Sequence, residues 1–330
     1  LTMSLTVEKL NDDTTFLLAF APAFAPKKGN IVRKFPGAYT ILLDPWLSGQ
    51  SSILHPTFQV SRHTSKVAVK SLADLRELPD VIIISQDKPD HCHRKTLCSL
   101  PKNTRTQILA TPAAAKKIES WRHFEPGVVR IIRPYCPEKP DALFKIPLAP
   151  YTHTSSAGEI TIANVPTRRD ITGLHNAIGI TYRPPGSLLT SHDGDCKTIS
   201  AIYTPHGLSF SALAPYLQSH LDQLSALPVT ALFHCVNSER NPWFMGGLVA
   251  RGAPGGTDVA VRTRARYWIS AHDEAKENRG VSVRWIKGTR YSPEEVVSML
   301  VDKAAKAATA EQRVPEVKFL AVGETMRIEG

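Results

Sequence analysis

One run constrains this chain more than any other: Ile82-Ile83-Ile84 followed by Ser85-Gln86-Asp87-Lys88-Pro89-Asp90-His91-Cys92-His93. The apolar, β-branched residues predict a buried strand. That strand passes directly into a short loop holding two aspartates, a lysine and two histidines. Carboxylates and imidazoles gathered at the end of a buried strand are the donors from which a hydrolytic metal site is built.

The rest of the chain limits what can surround this strand. At 330 residues it can bury a large core. No apolar run approaches the roughly 20 residues needed to span a bilayer. Thr15 to Ala21 follows Asp12 and Asp13, lacks the basic flank of a signal peptide, and reads as the first strand. Leu1 ahead of Met3 suggests a trimmed start. A cytoplasmic location is expected. The five cysteines (Cys92, Cys98, Cys136, Cys196, Cys235) form no Cys-x-x-Cys pair, which argues against a disulfide framework or a zinc ribbon. The net charge of +10 is dispersed and lacks aromatic-basic interleaving, so it reads as a solvated surface and ranks nucleic acid last among partners.

Strands are expected at Ala38 to Leu43, Val81 to Ser85, Gln107 to Ala110, Val128 to Ile132, Glu159 to Val165, Ala177 to Tyr182, Ile199 to Thr204 and Val229 to His234. Helical periods cover Ala113 to Trp121, Ser209 to Leu224 and Pro293 to Ala308. Ser292 is an N-cap ahead of Pro293, Glu294 and Glu295. Pro134 to Pro150 reads as a connection. No repeat of fixed period is evident. Sheets inside and helices outside are the expected result.

Five segments then occur in a recognisable order. They are Ile41-Leu42-Leu43-Asp44-Pro45-Trp46, the Gln86 to His91 loop, Val165-Pro166-Thr167-Arg168-Arg169, Ala201-Ile202-Tyr203-Thr204-Pro205-His206-Gly207, and Ile269-Ser270-Ala271-His272. Together they resemble the metallo-β-lactamase superfamily, nearest to its lactonase and phospholipase-D-like branch. The resemblance covers most of the chain and implies an α/β fold, a four-layer αββα metallo-β-lactamase sandwich, with residues 1–330 as one domain. In the His-x-His-x-Asp-His motif, Gln86 and Lys88 replace the leading histidines, whereas Asp90 and His91 match. Arg169 falls where a third histidine belongs, and His206 where a bridging aspartate belongs. His272 matches the final histidine.

The departures remove one metal position and leave the other. The resemblance therefore implies one divalent metal held by Asp90, His91, His206 and His272, with zinc first and iron or manganese as alternatives. Asp90 would serve as ligand or base. Lys88 would replace lost positive charge and steady an oxyanion. Asp44, Gln86, Arg169 and Trp243 are the candidate substrate-binding residues, Arg169 through a fork suited to carboxylate or phosphate.

Blander readings stand beside these. Asp90 and His91 would suit a helix cap, and Cys92 a small buried hydrophobe. His206 would simply end a strand, and His272 would be satisfied by its acidic neighbours. His93 reads as a surface or supporting residue. His153, His175 and His234 are reserve ligands, His234 more simply a core histidine. Trp243 to Gly247 is a pocket wall or an apolar turn, and Arg262 to Arg266 a solvated helix face. The expected function is a mononuclear metal-dependent hydrolase acting on an ester, lactone, amide or phosphoester of a small metabolite. The rival is a non-catalytic binding protein on the same scaffold.

Overall fold

A computed structural model describes residues 3–26, 35–53, 55–186, 198–307 and 314–330. Two seven-stranded sheets dominate it. The first runs Thr325–Glu329, Ser4–Lys9, Phe16–Ala21, Tyr39–Leu43, Val81–Ile84, Gln107–Ala110, Val129–Ile131. The second runs Glu316–Lys318, Tyr267–Ser270, Ala231–His234, Ile199–Thr204, Asn176–Arg183, Gly158–Pro166, Leu143–Leu148. Each sheet is antiparallel in one half and parallel in the other.

Side-chain alternation fixes what each face covers. Leu5, Phe16, Leu18, Ile41, Leu43 and Ile83 of the first sheet meet Ile160, Ile178, Ile180, Tyr203 and Phe233 of the second in one buried core. The opposite face of the first sheet (Leu17, Leu42, Ile82, Ile84) packs on Leu97, Ala114 and Ile118 from the helices Arg94–Leu97 and Pro112–Ser120. The outer face of the second (Ile202, Leu232, Trp268) packs on Leu213, Val259, Val296 and Leu300 from Phe210–Tyr216, Gly252–Arg262 and Pro293–Ala307. The result is the four-layer αββα sandwich. Val81–Ile84 is apolar without a break because both of its faces are covered.

Several local expectations change. Thr15 to Ala21 holds the second strand, since Ser4–Lys9 precedes it as a hairpin partner. The Pro134 to Pro150 stretch contains the strand Leu143–Leu148, where Pro147 is tolerated because that strand is an edge. The helix from Ser209 changes pitch, with Phe210–Tyr216 α-helical and Leu217–Leu221 a π-turn. Arg262 ends its helix, and Arg264 takes a left-handed φ of 52° in the turn beyond, so Arg262 to Arg266 share no helix face. The Ser292 cap forms a full capping box with Glu295. Among the described cysteines all four are free, and Cys196 lies outside the described residues. No described helix is long and apolar enough to cross a membrane.

Candidate metal centre

Three imidazoles meet where parallel strands of both sheets end. His91 follows Val81–Ile84, His206 follows Ile199–Thr204 and His272 follows Tyr267–Ser270. One ligand atom of each lies within 4.8 Å of the others. In every case Nδ1 is committed elsewhere: to the Asp44 carboxylate (2.8 Å), the Val249 carbonyl (3.1 Å) and the Asp13 carboxylate (2.7 Å), respectively. An imidazole fixed by a hydrogen bond at Nδ1 presents Nε2 in a set direction, as histidine ligands of metals do.

Asp44 can hold His91 because its own position is over-determined. Its carboxylate is fully buried and accepts from Ser85 N (2.7 Å), Ser85 Oγ and Tyr203 OH (2.8 Å) as well as His91. Asp13 is fixed by its loop, in which Asn11 Oδ1 accepts from the backbone of Asp13 and Thr15. Asp44 (φ 38°) and His272 (φ 64°) both take left-handed backbone conformations. Each costs a non-glycine residue about 1–3 kcal/mol, strain of a kind that concentrates at functional sites.

The proton inventory suits a cation. Burial pushes the His206 imidazole well below its ordinary value, and the neighbouring His272 and His91 add to this. His206 is therefore neutral. Burial works against charge on His91 too, but Asp90 and Asp44 outweigh it and raise its pKa. With Nδ1 donating to Asp44, His91 also donates from Nε2 to His206 Nε2 at 3.1 Å. A metal cation would displace that one proton.

Beside the imidazoles lies a second group, in which ligand atoms of Asp13, Asp90 and His272 also lie within 4.8 Å of one another. The Lys276 ammonium contacts Asp13 Oδ2 at 3.0 Å and Asp90 Oδ2 at 3.4 Å. Burial would raise the Asp90 pKa, but Lys276, His91 and His272 bring it down to about 2. Burial opposes charge on Asp13 as well, yet His272 and Lys276 hold it well below the usual carboxylate range.

A cavity of about 770 Å³ opens onto this centre. His206, His272, Asp90, Lys88 and Lys276 line it. Ile53, Phe58, Ile171, Met245, Leu248 and Ile286 give it a largely apolar wall.

The remaining sequence candidates fall in different places. Asp90 groups with Asp13 and Lys276 rather than with the three imidazoles. Lys88 reaches the cavity, but its ammonium pairs with Asp87 at 3.1 Å; Lys276 is the cation beside Asp90. Asp44 is sealed beneath His91 and cannot meet a substrate. Gln86 is buried, donating to Leu174 O and Asn176 Oδ1. Arg169 lies exposed in a turn at φ 64°, and Trp243 is 88% exposed on a short 3-10 turn; neither lines the cavity.

Among the described residues, none of the reserve histidines joins either group. His153 is exposed. His175 has both ring nitrogens against carbonyl oxygens, of Gly207 and Leu248. His234 bonds Cys235 O through Nδ1, while its Nε2 presses on Gly207, where a Cβ has no room. His93 is the N-cap of Arg94–Leu97. Asp13 and Lys276 are the two members that reading the sequence missed. In the sequence Asp13 reads only as polar flank to a strand. Lys276 carries no local signal, and only its position four residues beyond His272 ties it to the site.

No family model and no curated protein matches the chain. Two solved structures resemble it over nearly their whole length. One is Igni18, a novel metallo hydrolase from the hyperthermophilic archaeon Ignicoccus hospitalis KIN4/I, at 13% identity and TM-score 0.48, covering 98% of each chain. The other is the metallo-beta-lactamase fold protein YhfI from Bacillus subtilis, at 13% identity and TM-score 0.45, covering 98% of this chain and 99% of that one. Likeness of that degree assigns neither activity nor ligand, and the site must be read from its own geometry.

Proposed function

We propose that this protein is a hydrolase dependent on one divalent metal, acting on an ester, lactone, amide or phosphoester of a small metabolite with an apolar portion. The observation that carries this reading is the convergence of His91, His206 and His272, each oriented at Nδ1, with His206 and His272 on the wall of a large cavity. Three imidazoles with room for further ligands suit zinc, and also iron or manganese. A cation there would supply Lewis acidity and make water acidic enough to react near neutral pH.

The chain's own groups have separable tasks. His91, His206 and His272 would hold the ion through Nε2. Asp90, kept ionised at the cavity surface, would orient a water molecule by accepting its hydrogen; its low pKa makes it a weak proton acceptor. Lys276 would face negative charge developing on an oxygen of the substrate. The apolar wall would seat the hydrophobic part of the substrate and exclude bulk water.

The first test is metal content by mass spectrometry on chelator-free, untagged protein, beside His91→Ala and His206→Ala. One equivalent in the parent, lost in both variants, is expected, together with hydrolysis of some member of an ester and lactone panel. A folded parent that holds no metal and refuses added zinc, iron and manganese would favour the non-catalytic binding protein instead.

A further inference from the structure

Lys276 reaches in among Asp13, Asp90 and His272. Its Nζ lies 3.0 Å from Asp13 Oδ2, 3.4 Å from Asp90 Oδ2 and 3.5 Å from His272 Nδ1. Those three residues are the second group able to hold a metal ion, and the ammonium touches all of them. The side chain is 12% exposed and its ammonium lies 5.7 Å from the centre of the Trp46 ring. Asp13 is fully buried, so the positive charge offsets a carboxylate that water cannot reach.

We infer that Lys276 is a tethered cation filling a latent second metal site made by the Asp13 and Asp90 carboxylates beside His272. This rests on the one-metal reading above and deepens it. A fixed ammonium beside the three-imidazole site gives the pocket a second positive charge without a second exchangeable ion. It also makes binding selective, because a divalent ion entering the carboxylate pair would have to expel a buried ammonium joined to the backbone. His272 stands between the two positions. Its Nδ1 proton is held by Asp13, which leaves Nε2 for the exchangeable metal.

Removing the ammonium should open the latent site. Two carboxylates and water form an oxygen-rich environment suited to manganese or magnesium rather than to a soft ion. The test is the manganese content of the parent, Lys276→Ala and Lys276→Arg after equilibration with Mn²⁺, read by mass spectrometry and electron paramagnetic resonance. One equivalent is expected in the parent and in Lys276→Arg. Two are expected in Lys276→Ala, with a thermal midpoint that Mn²⁺ raises further than it raises the parent's.

Lys276→Ala that folds only with Mn²⁺ supplied, while Asp90→Asn/Lys276→Ala folds without it, supports the same conclusion. One equivalent in Lys276→Ala, or two in the parent, overturns the inference. So does a Lys276→Ala protein that Mn²⁺ neither folds nor loads a second time. Failure of the underlying one-metal reading would show separately, as a parent protein that binds no ion at His91, His206 and His272.

Discussion

His91, His206 and His272 would be useful as ligands because of what lies behind them. Two lean on buried carboxylates and one on a backbone carbonyl, and these partners decide which nitrogen faces the pocket. Asp13→Asn should therefore weaken metal binding about 10- to 100-fold although Asp13 is not a ligand of that ion. Competition against a chromophoric chelator would measure it, and an unchanged affinity would contradict the role given to Asp13. The sequence makes the three histidines legible because each sits just past an apolar strand, where the chain must turn and side chains gather. Asp13 and Lys276 are less so. Asp13 is hidden in a polar turn, and its partners His272 and Lys276 lie 259 and 263 residues away. Separation of that kind leaves no local trace.

Elements were legible where their faces are uniform. Ile199–Thr204 and Gln107–Ala110 are wholly or almost wholly buried, and hydrophobicity alone marks them. Ser4–Lys9 alternates with polar residues at its start and middle, and it forms a strand because Phe16–Ala21 and Thr325–Glu329 flank it. The π-turn Leu217–Leu221 carries a consequence of its own. It turns His220 inward, where Nε2 lies 2.8 Å from Thr161 Oγ1. Burial, aided by Lys145, lowers the pKa of His220 from 6.5 to about 4. The folded state thus resists a proton that the unfolded chain accepts. Stability present above pH 6.5 should be lost as pH falls towards 4, by on the order of 1 kcal/mol from this residue after solvent screening. His220→Gln retains a partner for Thr161 and should flatten that part of the profile. Urea midpoints at pH 7 and pH 5 would show it, and an equal loss in parent and variant would exclude His220 as a source.

At the scale of the molecule, the two sheets share a strand pattern, antiparallel on one side and parallel on the other, and the site lies where both parallel halves end. Ligands bind at such strand ends in many open α/β sheets. His91 comes from the first sheet, whereas His206 and His272 come from the second. The core between the sheets is apolar and non-directional; an ion held by these three residues would be a rivet through the seam. Metal at 100 times its dissociation constant should stabilise the fold by about 2.7 kcal/mol, and chelation should lower the thermal midpoint and hasten unfolding in urea. Identical unfolding with and without chelator would show that the ion does not join the sheets. A rivet supplied from outside also couples the protein to its surroundings. In a metal-starved cell the sandwich would open more often and meet proteases more often, so the amount of this protein would follow the supply of its ion.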